Sequence, residues 1–434
     1  MILKTLLMLA VVCVMASCAY LPGNETPAPA VPAPVTPVVG TPAVSTPSFE
    51  IASPTPVARS SLIVWLPPEM ASRTEAGAVV FSDQLLGFSM AHPDLALSVE
   101  QKPVGGQGGI LNYLRTGKNA APSILPDLIA LPVSQLIAAA DEGLIYPLED
   151  LLEPAELDGL FPVAQTWVRH RDHVIAYPFA LTGMPQLEYS SAITDTMPLQ
   201  WSEFISATNR TLVLPTIGSS GAKLALQFYL QAGGSLTNEA DQPMLEQAPL
   251  VAALELFRDG RQSGFIVPQS SNISTLNEGR LLMQTGATNF ALSASDEFLY
   301  GRTEEISPGF AAIPGLTGPP PALVRGWAWA VTTVDPVKRA LAVELIETLT
   351  TAENMGDWSF NSHILPAKAD AFRQWPVTDS YVDFAQQELE RAAAMSLSDT
   401  GPIMKALENA VFDVVSLSKT PQEAAAEAVG SLQP

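Results

Sequence analysis

Leu62-Ile63-Val64-Trp65-Leu66 is an unbroken apolar run that Pro67-Pro68 stops. Such a run, without alternation, suits a strand buried on both faces, as in a parallel sheet covered by helices. A helical stretch follows to about Met90, and Leu97 and Val99 then alternate in a second strand. The loop Gly105-Gly106-Gln107-Gly108-Gly109 leads into a helix carrying Ile110 and Leu114. Pro126-Asp127 opens a third apolar strand, Leu128-Ile129-Ala130-Leu131. Val133, Leu136, Ile137, Ala140 and Leu144 follow at helical spacing, with Gly143 as the stop. Strand, helix and strand in this repetition predict a parallel, doubly wound sheet.

The alternation breaks at Tyr177-Pro178-Phe179-Ala180-Leu181-Thr182-Gly183, rich in turn formers and aromatic rings. A second α/β region follows, with a helix from Leu224 to Gln231 ended by Gly233-Gly234, and another from Leu250 to Arg261. A second break at Pro319-Pro320-Pro321 precedes the apolar strand Leu323 to Val331. Asp335-Pro336 sets a capping carboxylate and an N1 proline ahead of a helix whose Val337, Leu341, Leu345 and Leu349 share one face. From about Ala367 the chain reads as largely helical, including Ile403 to Val415. Two α/β regions with breaks between them predict a cleft, where ligand sites usually lie. In doubly wound sheets the ligand sits beyond the carboxyl ends of the strands, here Trp65–Pro67 and Leu131–Ser134.

A chain of 434 residues exceeds one ordinary core and predicts two domains plus extras. With 44 acidic against 22 basic residues the formal net charge is −22, which repels phosphate backbones and argues against nucleic acid as a partner. The two cysteines, Cys13 and Cys18, both precede the folded part, so no disulfide staples it. Met1 to Lys4 gives a basic start, and Leu6 to Val14 an apolar run too short to span a bilayer but fit for a signal-peptide core. The run ends in Met15-Ala16-Ser17-Cys18, which resembles a bacterial lipobox with Met15 where leucine is commonest. Residues 1–18 are therefore read as a lipoprotein signal and Cys18 as the lipidated residue. Its several acyl chains would meet the requirement for stable anchoring. Residues 19–60 hold ten prolines among alanine, valine, threonine and serine. They read as an extended spacer that reaches on the order of 100 Å at about 3 Å per residue.

Taken in order, further segments resemble the extracellular solute-binding proteins of sugar-type ABC importers, the maltodextrin-binding-protein-like cluster. Leu62–Pro68 matches the first strand of that family, and Pro126-Asp127-Leu128-Ile129 its "PD" strand. Glu142-Gly143-Leu144-Ile145-Tyr146-Pro147-Leu148 resembles its helix exit, and Tyr177-Pro178-Phe179-Ala180 the lead into its first crossing between lobes. Trp201-Ser202-Glu203-Phe204, Gln231-Ala232-Gly233-Gly234 and Glu278-Gly279-Arg280-Leu281-Leu282-Met283 resemble landmarks of its second lobe. Arg325-Gly326-Trp327-Ala328-Trp329-Ala330 resembles its return strand, and Ile364-Leu365-Pro366-Ala367 its "LPA" element. Tyr189-Ser190 and Gln200 depart from the usual pattern. Each landmark is weak alone; their order gives the resemblance its weight.

The resemblance implies an α/β, two-lobed, periplasmic-binding-protein-like fold of type II. Each lobe would be a doubly wound sheet flanked by helices, with the ligand cleft between lobes. The first lobe would comprise residues 61–177 and 326–366, the second 183–319 and 367–434. The implied function is a monomeric substrate-binding lipoprotein on the outer face of the cell membrane. It would capture a small solute, read as a sugar or oligosaccharide, by hinge closure and deliver it to an ABC transporter permease. No cofactor, metal or catalytic residue is expected.

Sugars present apolar C–H faces and a rim of hydroxyls, so their sites pair aromatic platforms with amides and carboxylates. Trp65 stands at a strand's carboxyl end, where the choice is between ligand and core. Trp327 and Trp329, two apart on a strand, share a face. Tyr177 and Phe179 stand at the first crossing, while Tyr189 reads as core. Asn289 offers an amide, and Trp358 and Asn361 lie near the end of the first lobe. Ser134 opens the helix after the third strand, where its hydroxyl caps the first turn or meets ligand.

Enzymatic motifs fail on inspection. His170-Arg171-Asp172-His173 contains paired histidines with no carboxylate frame to complete a metal site. Gly106-Gln107-Gly108 lacks the third glycine of a dinucleotide fingerprint, since Leu111 stands there. Gly218-Ser219-Ser220-Gly221 is not a nucleophile elbow. A pair of glycosidase carboxylates is not excluded by counting acids, and a membrane-anchored extracellular enzyme acting on glycans remains the alternative reading.

Overall fold

The computed structural model describes residues 60–433 apart from residues 72, 121–123, 194–195, 241, 303–307, 396 and 400. The signal (1–18), Cys18 and the spacer up to residue 59 lie outside the described residues. Thirteen strands follow: β1 (Ser60–Leu66), β2 (Leu95–Gln101), β3 (Leu128–Pro132), β4 (Arg169–His170), β5 (His173–Val174), β6 (Tyr177–Thr182), β7 (Pro185–Tyr189), β8 (Leu212–Val213), β9 (Phe290–Ala294), β10 (Gly309–Ala311), β11 (Leu323–Val331), β12 (Leu365–Pro366) and β13 (Ala393–Ala394).

The first sheet runs β12-β6-β11-β3-β1-β2, with β13 added beside β11. β1 lies parallel to β2 on one side and to β3 on the other, and Leu62, Val64 and all of Leu128–Leu131 are buried. This is the apolar, two-sided burial expected of the two runs. β2 forms the edge and is largely exposed, which explains its weaker, alternating pattern. The rest of the sheet is mixed: β11 runs antiparallel to both β3 and β6, and β12 antiparallel to β6, while β13 is parallel to the start of β11. Here the chain returns from the second lobe instead of passing through a crossover helix, so direction is set by the re-entry.

The second sheet runs β10-β7-β9-β8. β7 pairs antiparallel with β9 and β10, while β8 is parallel to β9. Helices Ser219–Gln231, Gln247–Gln262, Pro402–Val415 and Pro421–Gly430 cover it. Their sequence signals hold locally. Asp335 caps the helix Pro336–Leu349 through the Val337 and Lys338 N–H groups, and Thr420 and Glu423 form a reciprocal capping box. Val337, expected on the buried face of its helix, is instead 60% exposed because it falls in the first turn, beyond the sheet.

A first hydrophobic core packs on one face of the first sheet, a second around the second sheet, and a third, with Trp65, Ile110 and Leu131, on the other face of the first sheet. Ala367, Phe372 and Trp375 pack in the first core, whereas Tyr381 of the helix Ser380–Glu390 stacks on Phe298 at 4.8 Å and donates its hydroxyl to Gln186 at 2.7 Å, both in the 183–319 segment. The second core takes up the chain again only from Met395 and Ile403 onward. The helix Ser380–Glu390 thus touches both sides, through Tyr381 to Gln186 and through Gln386 to the Ala369 carbonyl, before β13 joins the start of β11.

Beneath the second sheet lies a buried polar layer. Glu188 of β7 is completely buried, and Arg280 donates to its Oε1 over 3.0 Å. Burial pushes the Glu188 carboxyl up, and Arg280 opposes the shift. A Cβ at Gly301 would meet the Arg280 guanidinium and displace it from its place beside Glu188. Replacing Arg280 alone strands a buried carboxylate and is expected to cost about 3–5 kcal/mol of unfolding free energy. The double replacement Glu188→Leu with Arg280→Met should cost far less, as urea denaturation of both variants will show. Equal losses in the two would mean that the pair is not coupled.

Candidate functional site

Three stretches of chain meet where the two sheets adjoin. Thr182-Gly183 joins β6 to β7, Arg325 of β11 stands in register with Thr182, and β13 pairs with Leu323 and Val324. Gly183 adopts φ +69°, the left-handed region that favours glycine, and its N–H donates to Asp296 Oδ1 over 3.0 Å. A cavity of about 250 Å³ opens beside this junction. Thr182, Gly183 and Arg325 form its junction wall. Ser220, Lys223 and Gln227 line it from the helix Ser219–Gln231, Ser293 from the end of β9, and Asp296 and Glu297 from the first turn of the helix Ser295–Gly301. Leu224, Leu276 and Leu292 supply the apolar part.

The charges around the cavity are arranged in groups. Asp399 accepts from Lys223 Nζ at 3.0 Å and from both terminal nitrogens of Arg325, one of them at 3.2 Å. Burial pushes the Asp399 carboxyl up, but the Arg325 and Lys223 bonds outweigh it and hold it below its usual value. Burial, with the neighbouring Arg325 charge, pushes the Lys223 ammonium down. Asp296 takes the Gly183 N–H and faces Arg73, whose Nη2 lies 3.5 Å from Oδ2. Burial and the Asp296 charge push the Glu297 carboxyl up. Gln227 donates through Nε2 to the Pro321 carbonyl at 3.1 Å, while its Oε1 is buried without a partner.

None of the expected ligand residues lines this cavity. Phe179, Trp329 and Trp358 do come together: Phe179 stacks on Trp329 at 4.9 Å and meets Trp358 edge-on at 5.6 Å. They enclose, with Leu66, Met70 and Phe81, a void of only 20 Å³. That holds about one water and no solute. Tyr177 is fully buried and donates its hydroxyl to the Glu156 carbonyl at 3.0 Å. Trp65 lies on the opposite face of β1, buried edge-on against Tyr113. These five rings are core: four stand on strands covered by helices, and Trp358 stands on one of the covering helices, Ala352–Asn361. Trp327 is half-buried against the first core and in register with Pro132. Ser134 is exposed in the single turn Val133–Gln135 and makes no capping bond. Asn289 accepts at Oδ1 from the Thr211 N–H and hydroxyl, both at 2.9 Å, which fixes the loop before β9. Asn361 binds Asp357 within its own helix.

Sequence reading passed over Lys223, Asp296 and Glu297. Lys223 had a signal, being the lone charge in an otherwise apolar helix. Asp296-Glu297 directly follow a buried strand, a position at which acids are uncommon without a purpose. The paired histidines flank a tight hairpin turn whose Arg171 and Asp172 have positive φ, and they bind Asp141 and Glu149. No group of metal-ligating residues occurs among the described residues.

The sequence profile of the bacterial extracellular solute-binding proteins matches residues 89–386, well over half the chain. The chain belongs to this family. Solved structures with the same fold include three that each cover 86% of this chain and have 97% of their own length covered. They are the GacH receptor of Streptomyces glaucescens, solved unliganded and with acarbose (18% identity, TM-score 0.60), the maltose-binding periplasmic protein of Listeria monocytogenes with maltose (16%, 0.66), and the cyclic alpha-maltosyl-1,6-maltose binding protein of Arthrobacter globiformis (14%, 0.66). Curated protein sequences give no match. The family consists of binding proteins and not enzymes, so this solute-binding protein recognises its ligand without breaking a bond in it. Its aromatic cluster should behave as core: Trp329→Ala is expected to lower stability by about 3–5 kcal/mol. Chemical denaturation measures it, and a loss below about 1 kcal/mol would contradict the packing described.

Proposed function

We propose that this solute-binding protein captures a sugar or oligosaccharide between its lobes and passes it to the permease of an ABC importer. The observation that carries the reading is the cavity at the junction of the crossings, walled by hydroxyls, an amide and carboxylates. Such groups are suited to a rim of sugar hydroxyls. The ligands named for the three solved relatives, all of the maltose or acarbose kind, support it. The cavity takes its lining from the second lobe and the crossings; Ser134 and Trp327, accessible near the end of β3, are suited to close on the ligand from the first lobe. Bending at Thr182–Pro185, Arg325 and β13 would bring the two faces together.

The chain works, in this reading, as a monomer held at the outer face of the membrane by lipid on Cys18, with residues 19–60 as tether. No helix of the described residues is long and apolar enough to cross a membrane.

A thermal-shift screen over mono- and oligosaccharides tests the first part. A sugar at about 100 times its dissociation constant adds about 2.7 kcal/mol to stability, and small-angle scattering of the same sample should show a smaller radius of gyration. If no sugar raises the melting temperature, sugar capture is wrong; if one does so with no compaction, hinge closure is. Cys18→Ser should move the protein from the membrane to the soluble fraction and end the incorporation of a labelled palmitate. Retention of both in the variant would refute the anchor.

A further inference from the structure

Four charged side chains line the cavity: Lys223, Arg325, Asp296 and Glu297. Three have their counter-charge in place, Lys223 and Arg325 in Asp399, and Asp296 in Arg73. The Glu297 carboxylate has neither ion pair nor hydrogen bond among the described residues, although the residue is half-buried. The nearest guanidinium, that of Arg280, is engaged by Glu188 and reaches only the Glu297 carbonyl, at 3.4 Å. A second group in the same wall is also unmet. Gln227 is 2% exposed, and because its Nε2 donates to a carbonyl, the orphaned atom is the acceptor Oε1. Both vacancies therefore ask for donors, and one asks for positive charge.

Neutral hydroxyls would meet these acceptors only in part. Closing the lobes over an unpaired carboxylate removes it from water, and a hydroxyl returns one donor but no counter-charge. An ammonium returns three donors and the charge together. No aromatic ring lines the cavity, so polar contacts and not stacking must set the preference. The surplus of acids in the chain, at a formal −22, draws cations toward it as well. We propose that the solute is a sugar carrying a protonated amine and that Glu297 is its counter-ion. This rests on the reading of the cavity as a sugar site.

Isothermal titration of the full chain with glucosamine oligomers, their N-acetylated forms and glucose oligomers of equal length tests it. The amine-bearing series is expected to bind at least about 10-fold more tightly than either neutral series, about 1.4 kcal/mol. Glu297→Gln should abolish the difference, while Glu297→Asp, which keeps the charge, should retain most of it. The preference should also fade as pH falls from neutral, because the carboxyl must be ionised and its pKa lies above the ordinary glutamate value. That titration on the unaltered chain decides the matter if Glu297→Gln fails to fold. Equal or tighter binding of a neutral series would overturn the amine preference and leave sugar capture standing. If folded protein bound none of the three series, the sugar reading itself would fall.

Discussion

Strand β11 is the constraint on which the architecture depends. Its backbone hydrogen-bonds to β3 and β6 inside the first sheet and, at its beginning, to β13. A strand so paired cannot shift its register without moving buried residues to the wrong face. It therefore fixes where the chain leaves one lobe for the other, and Arg325 is placed at that point opposite Thr182. Thr182, just before Gly183, and β13 both pair with this same stretch, so the junction is a narrow bundle of strands.

The chemistry of the cavity follows from that placement. Lys223 comes from a second-lobe helix, Arg325 from the returning strand and Asp399 from the segment after β13, yet they meet in one triad. Being over a third exposed at Arg325 and Asp399, the triad adds little to stability by itself, since water screens it. Its effect is to tie together segments that enter the junction from different directions. Asp296 does the same between the Gly183 backbone and Arg73. Against these closed pairs, the vacant carboxylate of Glu297 and the vacant Oε1 of Gln227 stand out as the places where a ligand has something to supply.

The aromatic residues show how local reading loses its way. Phe179 sits at the first crossing and Trp329 on the return strand, where a sugar platform was expected. Their faces turn instead toward helices Glu75–Ala91, Pro336–Leu349 and Ala352–Asn361, which cover that side of the sheet. Nothing in the order of residues along β6 or β11 tells which face a distant helix will cover. Charged residues carry the complementary lesson. Lys223 and Asp296-Glu297 were visible as charges in apolar surroundings, but their convergence on one cavity was not.

Much of the fold was legible because it is local. The unalternated runs at β1 and β3, the proline-capped helix after Asp335 and the glycine at the first crossing each follow from neighbouring residues and backbone sterics. So does the ordered set of landmarks that places the chain in its family. The mixed strand directions, the two-sided packing of the helix Ser380–Glu390 and the identity of the cavity walls are different in kind. They arise from pairings between residues a hundred or more positions apart, such as Asp399 with Lys223. Sequence determined which segments are strands, helices and turns. Only the tertiary structure decided which side chains face the space between the lobes, because facing is a property of the partner that covers each surface.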